Sequence, residues 1–280
     1  MDDEQVVETN DHTIIGIGSS AGGLEAIREL VGTLPGDMPV SYVVVQHMSP
    51  HHKSLMTELV GRETKLVVKD VTDGVRPESN VIYITPPNRD ILYQDGRLRL
   101  VEPSLDIGSP KPSVDRFLLS LADGHGENCV AIILSGTGSD GAYGVQAIRE
   151  AGGITIAQDS NGAKYDGMPN AAVQTGCVDL ILRPGEIGTH LHKILSTPRD
   201  FDSLRRGELD NSPLSDLLQI LLARTRVDFR EYKQTTVNRR IERRMLALGI
   251  DSREEYAQFC RNNPQAVEAL FKDLLISVTR

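Results

Sequence analysis

The chain has 280 residues, 39% of them hydrophobic, enough for one large domain or two smaller ones with real cores. A formal charge of -9 and a pI near 5.3 argue against a nucleic-acid partner, because nothing overall attracts phosphate. No apolar run reaches the roughly 20 residues of a membrane span, and the acidic opening MDDEQVVETNDHT lacks the basic and apolar parts of a signal peptide. No direct membrane insertion is therefore expected, and a cytoplasmic location is. Cys129, Cys177 and Cys260 lie far apart without a CxxC pair and read as reduced core thiols.

Residues 1–12 read as a disordered tail. An apolar run, Ile14-Ile15-Gly16-Ile17, then breaks into Gly18-Ser19-Ser20-Ala21-Gly22-Gly23 and resumes as a helical pattern from Leu24 to Leu30. This predicts a buried strand, a tight turn and a helix start. Three readings fit. Gly16-x-Gly18-x-x-Ala21 matches the dinucleotide fingerprint. Gly18-x-Ser20-x-Gly22 matches the nucleophile elbow, which lifts a serine hydroxyl above the sheet. In the third, small residues simply let a helix pack tightly on its strand.

Val40 to Gln46 reads as a second buried strand, Ser54 to Val60 as a helix, and Lys65 to Val68 and Val81 to Thr85 as short strands. Ile91 to Gln94 and Arg97 to Val101 flank Asp95-Gly96, a two-residue hairpin signal. Pro103 to Pro112 is a loop, after which Ser113 can cap a helix through Phe117, Leu118 and Leu121. Cys129 to Leu134 is a third long strand, ended by Ser135-Gly136-Thr137-Gly138-Ser139-Asp140-Gly141. A helix over Val145 to Ala151, a strand at Ile154 to Ala157, a short helix at Ala171 to Thr175, a strand at Val178 to Leu182 and a helix at Glu186 to Leu195 follow. The alternation over 13–196 predicts an α/β fold, a doubly wound and mainly parallel sheet with an antiparallel hairpin.

Residues 197–211 read as a linker. From 212 to 280 the pattern is all helix: Leu214 to Ala223, Val237 to Leu248, Ser252 to Arg261 and Gln265 to Val278. This small all-α domain carries 12 Lys and Arg against 9 Asp and Glu, so a mildly basic module follows a strongly acidic one. No internal repeat is present.

Ligands of open parallel sheets bind beyond the C-terminal strand ends. There the first strand delivers Ser20, the second His47, and the third long strand leads to Asp140. A hydroxyl, an imidazole and a carboxylate are the parts of a serine-hydrolase triad. The same position tells against the dinucleotide reading, which wants Asp or Glu after the second strand where this chain has Gln46-His47. His47 would be general base toward Ser20 and general acid toward the leaving group, with Asp140 holding the ring. The Ala21 N–H, at a helix N-terminus, is a natural donor to an oxyanion, and the loop around Thr137 and Gly138 can supply a second.

Other residues compete for roles. His47, His51 and His52 cluster in sequence, but no cysteine or carboxylate joins them at ligand spacing, so neither a metal nor any other cofactor is expected. Ser19 and Ser135 are rival nucleophiles, the first pointing away if Ser20 is at the apex of the turn. Asp166 is a rival acid with a turn as its simpler role.

Residues from about 13 to 195 resemble the catalytic domain of chemotaxis protein-glutamate methylesterases (CheB). The resemblance lies in Ile17 to Gly23, Gln46-His47-Met48, Lys111-Pro112-Ser113-Val114-Asp115, Gly136 to Gly141 and Gly167-Met168-Pro169. It places the nucleophile on Ser20, the histidine on His47 and the aspartate on Asp140. Ser19 and Ala21 depart from the commoner Gly-Ala-Ser-Thr-Gly-Gly. The reaction it implies is hydrolysis of glutamyl γ-methyl esters on the cytoplasmic helices of chemoreceptors, often with deamidation of glutamines. The family's usual N-terminal receiver domain is not expected before the first strand, nor is phosphorylation control by that route.

Residues 212–280 resemble the N-terminal helical domain of chemotaxis receptor methyltransferases (CheR). The match lies in Phe229 to Lys233, Asn238 to Met245 and Leu275 to Arg280. The resemblance implies the front part of an esterase–methyltransferase fusion, without the S-adenosylmethionine-binding domain and hence without methyl transfer. Val237, Ile241, Met245 and Leu248 form one apolar stripe, and Arg239, Arg240, Arg243 and Arg244 crowd the remaining faces. Such crowding either meets an acidic partner or is a solvated face with local glutamate pairs. The alternative to an esterase is a non-catalytic sensory or scaffold module that keeps the fold.

Overall fold

The computed structural model describes residues 12–48, 55–103, 111–196, 211–230, 232 and 234–275. Most of the expected tail and linker, the loop at 104–110, His51, His52, Lys233 and the last five residues lie outside the described residues.

Seven strands form one parallel sheet. In chain order they are β1 (Thr13–Ser19), β2 (Val40–Gln46), β3 (Val67–Asp70), β4 (Val81–Ile84), β7 (Cys129–Ile133), β8 (Ile154–Gln158) and β9 (Leu180–Leu182). The spatial order is β3-β4-β2-β1-β7-β8-β9, with every pair parallel. The expected hairpin is the separate antiparallel pair β5 (Asp90–Gln94) and β6 (Arg97–Val101). Asp95 and Gly96 both have positive φ, as a type I′ turn requires.

The sheet is apolar on both faces. One carries Ile15, Ile17, Tyr42 and Val44 beneath α1 (Gly23–Val31), α2 (Met56–Gly61) and α6 (Pro184–Ser196). The other carries Ile14, Val43, Val45 and Ala131 beneath α3 (Val114–His125), α4 (Ala142–Glu150) and α5 (Gly167–Gln174). Ser113 caps α3 as expected, its hydroxyl accepting from the Arg116 N–H. The packing reading accounts for the glycines of β1. A Cβ on Gly16 would stand 2.6 Å from Leu118, and one on Gly18 2.4 Å from Val114, so the strand is bare where α3 crosses it.

Four helices follow: α7 (Asn211–Thr225), α8 (Gln234–Leu248), α9 (Arg253–Asn262) and α10 (Pro264–Leu275). Their first residue is the last of the expected linker. They enclose their own core of Leu217, Leu221, Phe229, Ile241, Tyr256 and Leu270.

Three of the four arginines of α8 differ from the sequence expectation. Arg240, Arg243 and Arg244 are buried, and only Arg239 is exposed. Arg243 and Arg244, joined by Arg149 of α4, share two acids whose side chains are fully buried, Asp179 before β9 and Asp273 of α10. Arg243 stands 2.6 Å from Asp179 and donates to the Gly153 carbonyl at 2.8 Å, while Arg240 donates to the Arg149 carbonyl at 3.1 Å. The acidic partner of Arg243 and Arg244 is thus the chain itself, and Arg240 is held by a backbone carbonyl, so all three are withdrawn from an outside partner. Burial alone would raise the Asp179 pKa, but the guanidinium groups outweigh it and hold it low. Leu246 and Ala247 complete the seam by entering the core on the α6 side of the sheet.

Candidate active site

The chain runs from β1 through β2 to one side of the sheet and returns beside β1 as β7, so the order reverses between β1 and β7. Ligand sites of doubly wound sheets lie at such a reversal, beyond the strand ends. Ser19 pairs with Gln46, so Ser20 and His47 leave the sheet side by side, one residue past the last rung. The His47 N–H still donates to the Ser19 carbonyl at 3.0 Å. On the other flank the Ser20 N–H donates to the Ser135 carbonyl at 3.0 Å, which fixes the turn against the loop after β7.

His47 and Asp140 meet. Nε2 of the ring donates to Asp140 Oδ2 at 2.8 Å, with both side chains largely shielded from solvent. Asp140 also accepts from the N–H groups of Val114 (2.8 Å) and Asp115 (2.9 Å) and from the Ser113 hydroxyl (3.3 Å). Burial would raise its pKa, but the hydrogen bonds from His47, Asp115 and Val114 prevail and hold it below the ordinary range, so the group is a carboxylate.

Ser20 is half-buried beside this pair, and its hydroxyl makes no side-chain hydrogen bond among the described residues. Its backbone differs from the strained elbow, because Ser20 is not among the residues with positive φ; the left-handed position is Gly22, the cap of α1. Both rival serines are engaged elsewhere. Ser19 is fully buried and donates to Gln46 Oε1 at 2.5 Å. Ser135 is buried, with Oγ accepting from the Tyr165 N–H at 3.0 Å and lying 3.0 Å from the Ala21 carbonyl as donor. Asp166 is exposed and accepts from Asn170 at the start of α5.

The Ala21 N–H has no acceptor among the described residues, which leaves it available at the mouth. Thr137 and Gly138 are exposed on the loop opposite. Gly136 is wedged between Ser20 and Met168, where a Cβ would stand 2.8 Å from the serine Cβ and 2.2 Å from the Met168 sulfur. No group of three or more potential metal ligands occurs among the described residues, and His51 and His52 lie outside them. Nor is any described helix long and apolar enough to cross a membrane.

Two further residues belong to this site. Asp115 lies against Asp140, and burial together with that neighbouring carboxylate pushes its pKa up to about 6. Gln46 donates to the Ser20 carbonyl at 2.7 Å while accepting from Ser19, and so braces the turn from beneath. An acid two residues after a helix-capping serine was the available signal for Asp115. For Gln46 the signal was a polar residue ending an otherwise apolar strand.

The fold defines a doubly wound α/β domain, with Ser20, His47 and Asp140 beyond the strand ends at its switch point. The CheB methylesterase family matches residues 15–191, and the all-alpha domain of CheR methyltransferases matches residues 213–275. This chain belongs to the CheB methylesterase family and carries a CheR N-terminal domain after it. A protein-glutamate methylesterase/protein-glutamine glutaminase of Archaeoglobus fulgidus is 32% identical over 67% of this chain and 54% of its own length. One from Geobacter sulfurreducens is 35% identical over 60% of this chain and 46% of its own. An uncharacterized 104.1 kDa protein of Rhodobacter capsulatus is 32% identical over 80% of this chain, though over only 26% of its own length. The chain thus spans from a quarter to about half of these relatives. The crystal structure of the Thermotoga maritima CheB methylesterase catalytic domain superposes with a TM-score of 0.60 at 30% identity, covering 64% of this chain and 97% of that one.

Proposed function

We propose that this chain hydrolyses γ-methyl esters of glutamate side chains on the cytoplasmic helices of chemoreceptors, and that residues 13–196 carry the reaction. The observation that bears most weight is the His47–Asp140 hydrogen bond beside Ser20, in a member of the methylesterase family. Because Nε2 is committed to Asp140, Nδ1 is the nitrogen that takes the Ser20 proton. Ser20 Oγ then attacks the ester carbonyl, and the Ala21 N–H, with the loop at Thr137 and Gly138, meets the charge on its oxygen. His47 returns the proton to the departing methoxide, releasing methanol and an acyl-serine. Water, deprotonated by the same ring, attacks that ester, and the ring passes the proton to the departing Ser20 Oγ, freeing glutamate and restoring Ser20. A glutamine carboxamide enters the same cycle with ammonia as leaving group, in line with the glutaminase named for the relatives. A cytoplasmic site of action follows from that substrate.

The test is methanol release from a methylated receptor fragment by the wild type and Ser20→Ala. Loss of release in the variant is expected. Equal rates would remove Ser20 as nucleophile, and no release by either would favour the scaffold reading.

A further inference from the structure

The first turns of α3 and α4 exchange carboxylates. Asp140, just ahead of α4, accepts the N–H groups of Val114 and Asp115 at the start of α3. Asp115 returns the favour through one oxygen, Oδ1, which accepts from Gly141 at 2.9 Å and Gly144 at 2.7 Å at the start of α4. Each acid therefore sits at the positive end of the other's helix and satisfies donors that the helix cannot satisfy itself. There is little slack, since a Cβ on Gly144 would stand 2.5 Å from that of Leu118. The other side of α3 is also anchored, because buried Asp90 accepts from the Ser113 N–H at 2.8 Å and pairs with Arg116.

We propose that Asp115 is a positioning residue for Asp140: by clamping the start of α4 to the start of α3 it sets where the Asp140 carboxylate meets the His47 ring. This rests on the esterase reading for its kinetic consequence, but not for its geometry. The Asp115 side chain bonds Gly141 and Gly144 and lies against Asp140, with no hydrogen bond to Ser20 or His47 among the described residues. Its raised pKa agrees with a carboxyl held against Asp140, since the protonated form can donate to that neighbour. Asparagine imitates that form, offering a carbonyl oxygen to both glycine amides and an N–H to Asp140. Alanine offers neither.

The experiment compares the wild type, Asp115→Asn and Asp115→Ala as the full 280-residue chain, following by NMR the His47 ring N–H that bonds Asp140, through its chemical shift and exchange with water, and methanol release from a methylated receptor fragment. In Asp115→Ala that resonance is expected to move upfield and exchange faster as Asp140 drifts from the ring, with kcat down about tenfold to a hundredfold and KM little changed. In Asp115→Asn the resonance should stay near that of the wild type and kcat within about threefold of it. A wild-type His47 N–H signal in Asp115→Ala would overturn the proposal, as would equal losses in both variants. If Asp115→Ala fails to fold, Asp115→Asn decides alone, because a displaced His47 N–H signal in a folded Asn variant contradicts the clamp. Should the wild type release no methanol, the substrate reading fails while the N–H signal still tests Asp115.

Discussion

Asp140 Oδ2 accepts two hydrogen bonds of equal length, one from the His47 ring and one from the Val114 N–H, each 2.8 Å. The oxygen that orients the imidazole is thus fixed by the backbone of α3. Asp140→Asn keeps the shape but can present an amide N–H where the ring also donates, which favours the wrong imidazole tautomer. Methanol release should fall by about 10²–10⁴ with the fold intact by circular dichroism. Unchanged turnover would deny Asp140 its orienting role.

Gly136 is the tightest point of the mouth. A methyl there meets both the Met168 sulfur and the Ser20 Cβ, so Gly136→Ala must push the loop, the serine or both. We expect a stability loss of about 1–3 kcal/mol in urea unfolding. Turnover should fall at least about tenfold, because a displacement of the proposed nucleophile is amplified in the rate. Wild-type kinetics in this variant would show that the loop yields away from Ser20.

Asp115 also shapes the pH dependence of stability. Its folded pKa, about 6, lies above the ordinary 3.8, so the native state holds a proton that the unfolded chain has lost in the interval between. Stability from this group is therefore full below that interval and declines as pH rises through about 6. Asp115→Asn should flatten this segment of the profile, measured by urea unfolding at steps from pH 4 to 7. An unaltered slope would assign the titration to another group.

The arginine seam yields a further expectation. Asp179→Ala leaves Arg149, Arg243 and Arg244 buried with a single shared carboxylate, a case that costs about 3–5 kcal/mol when one partner of a buried pair is removed. Urea unfolding of the whole chain should show that loss. A change below about 1 kcal/mol would mean that the seam is open to water.

The strand exits were legible because each falls where an apolar run stops, and Ser20, His47 and Asp140 follow from the runs ending at Ser19, Gln46 and Ile133. Helix bounds were less so. α5 starts at Gly167 rather than Ala171, because Pro169 is accommodated in its first turn. The seam was hidden for a different reason. The pattern of α8 alone shows a charged face, and what buries it is Asp179, far back in the chain, together with Asp273 on another helix. The glycines of β1 fitted two ligand motifs, and only the path of α3 reveals that they make room for Val114 and Leu118.

The contacts of α8 fall on Gly153, Asp179 and the end of α4, all at the edge where strands begin, whereas Ser20 and His47 stand where strands end. The described contacts of the helical module consequently make it a footing under the sheet, at the end opposite the mouth. Weakening the footing should cost rigidity between the modules while leaving the proposed ester cleavage intact, so anchoring and chemistry can be altered one at a time.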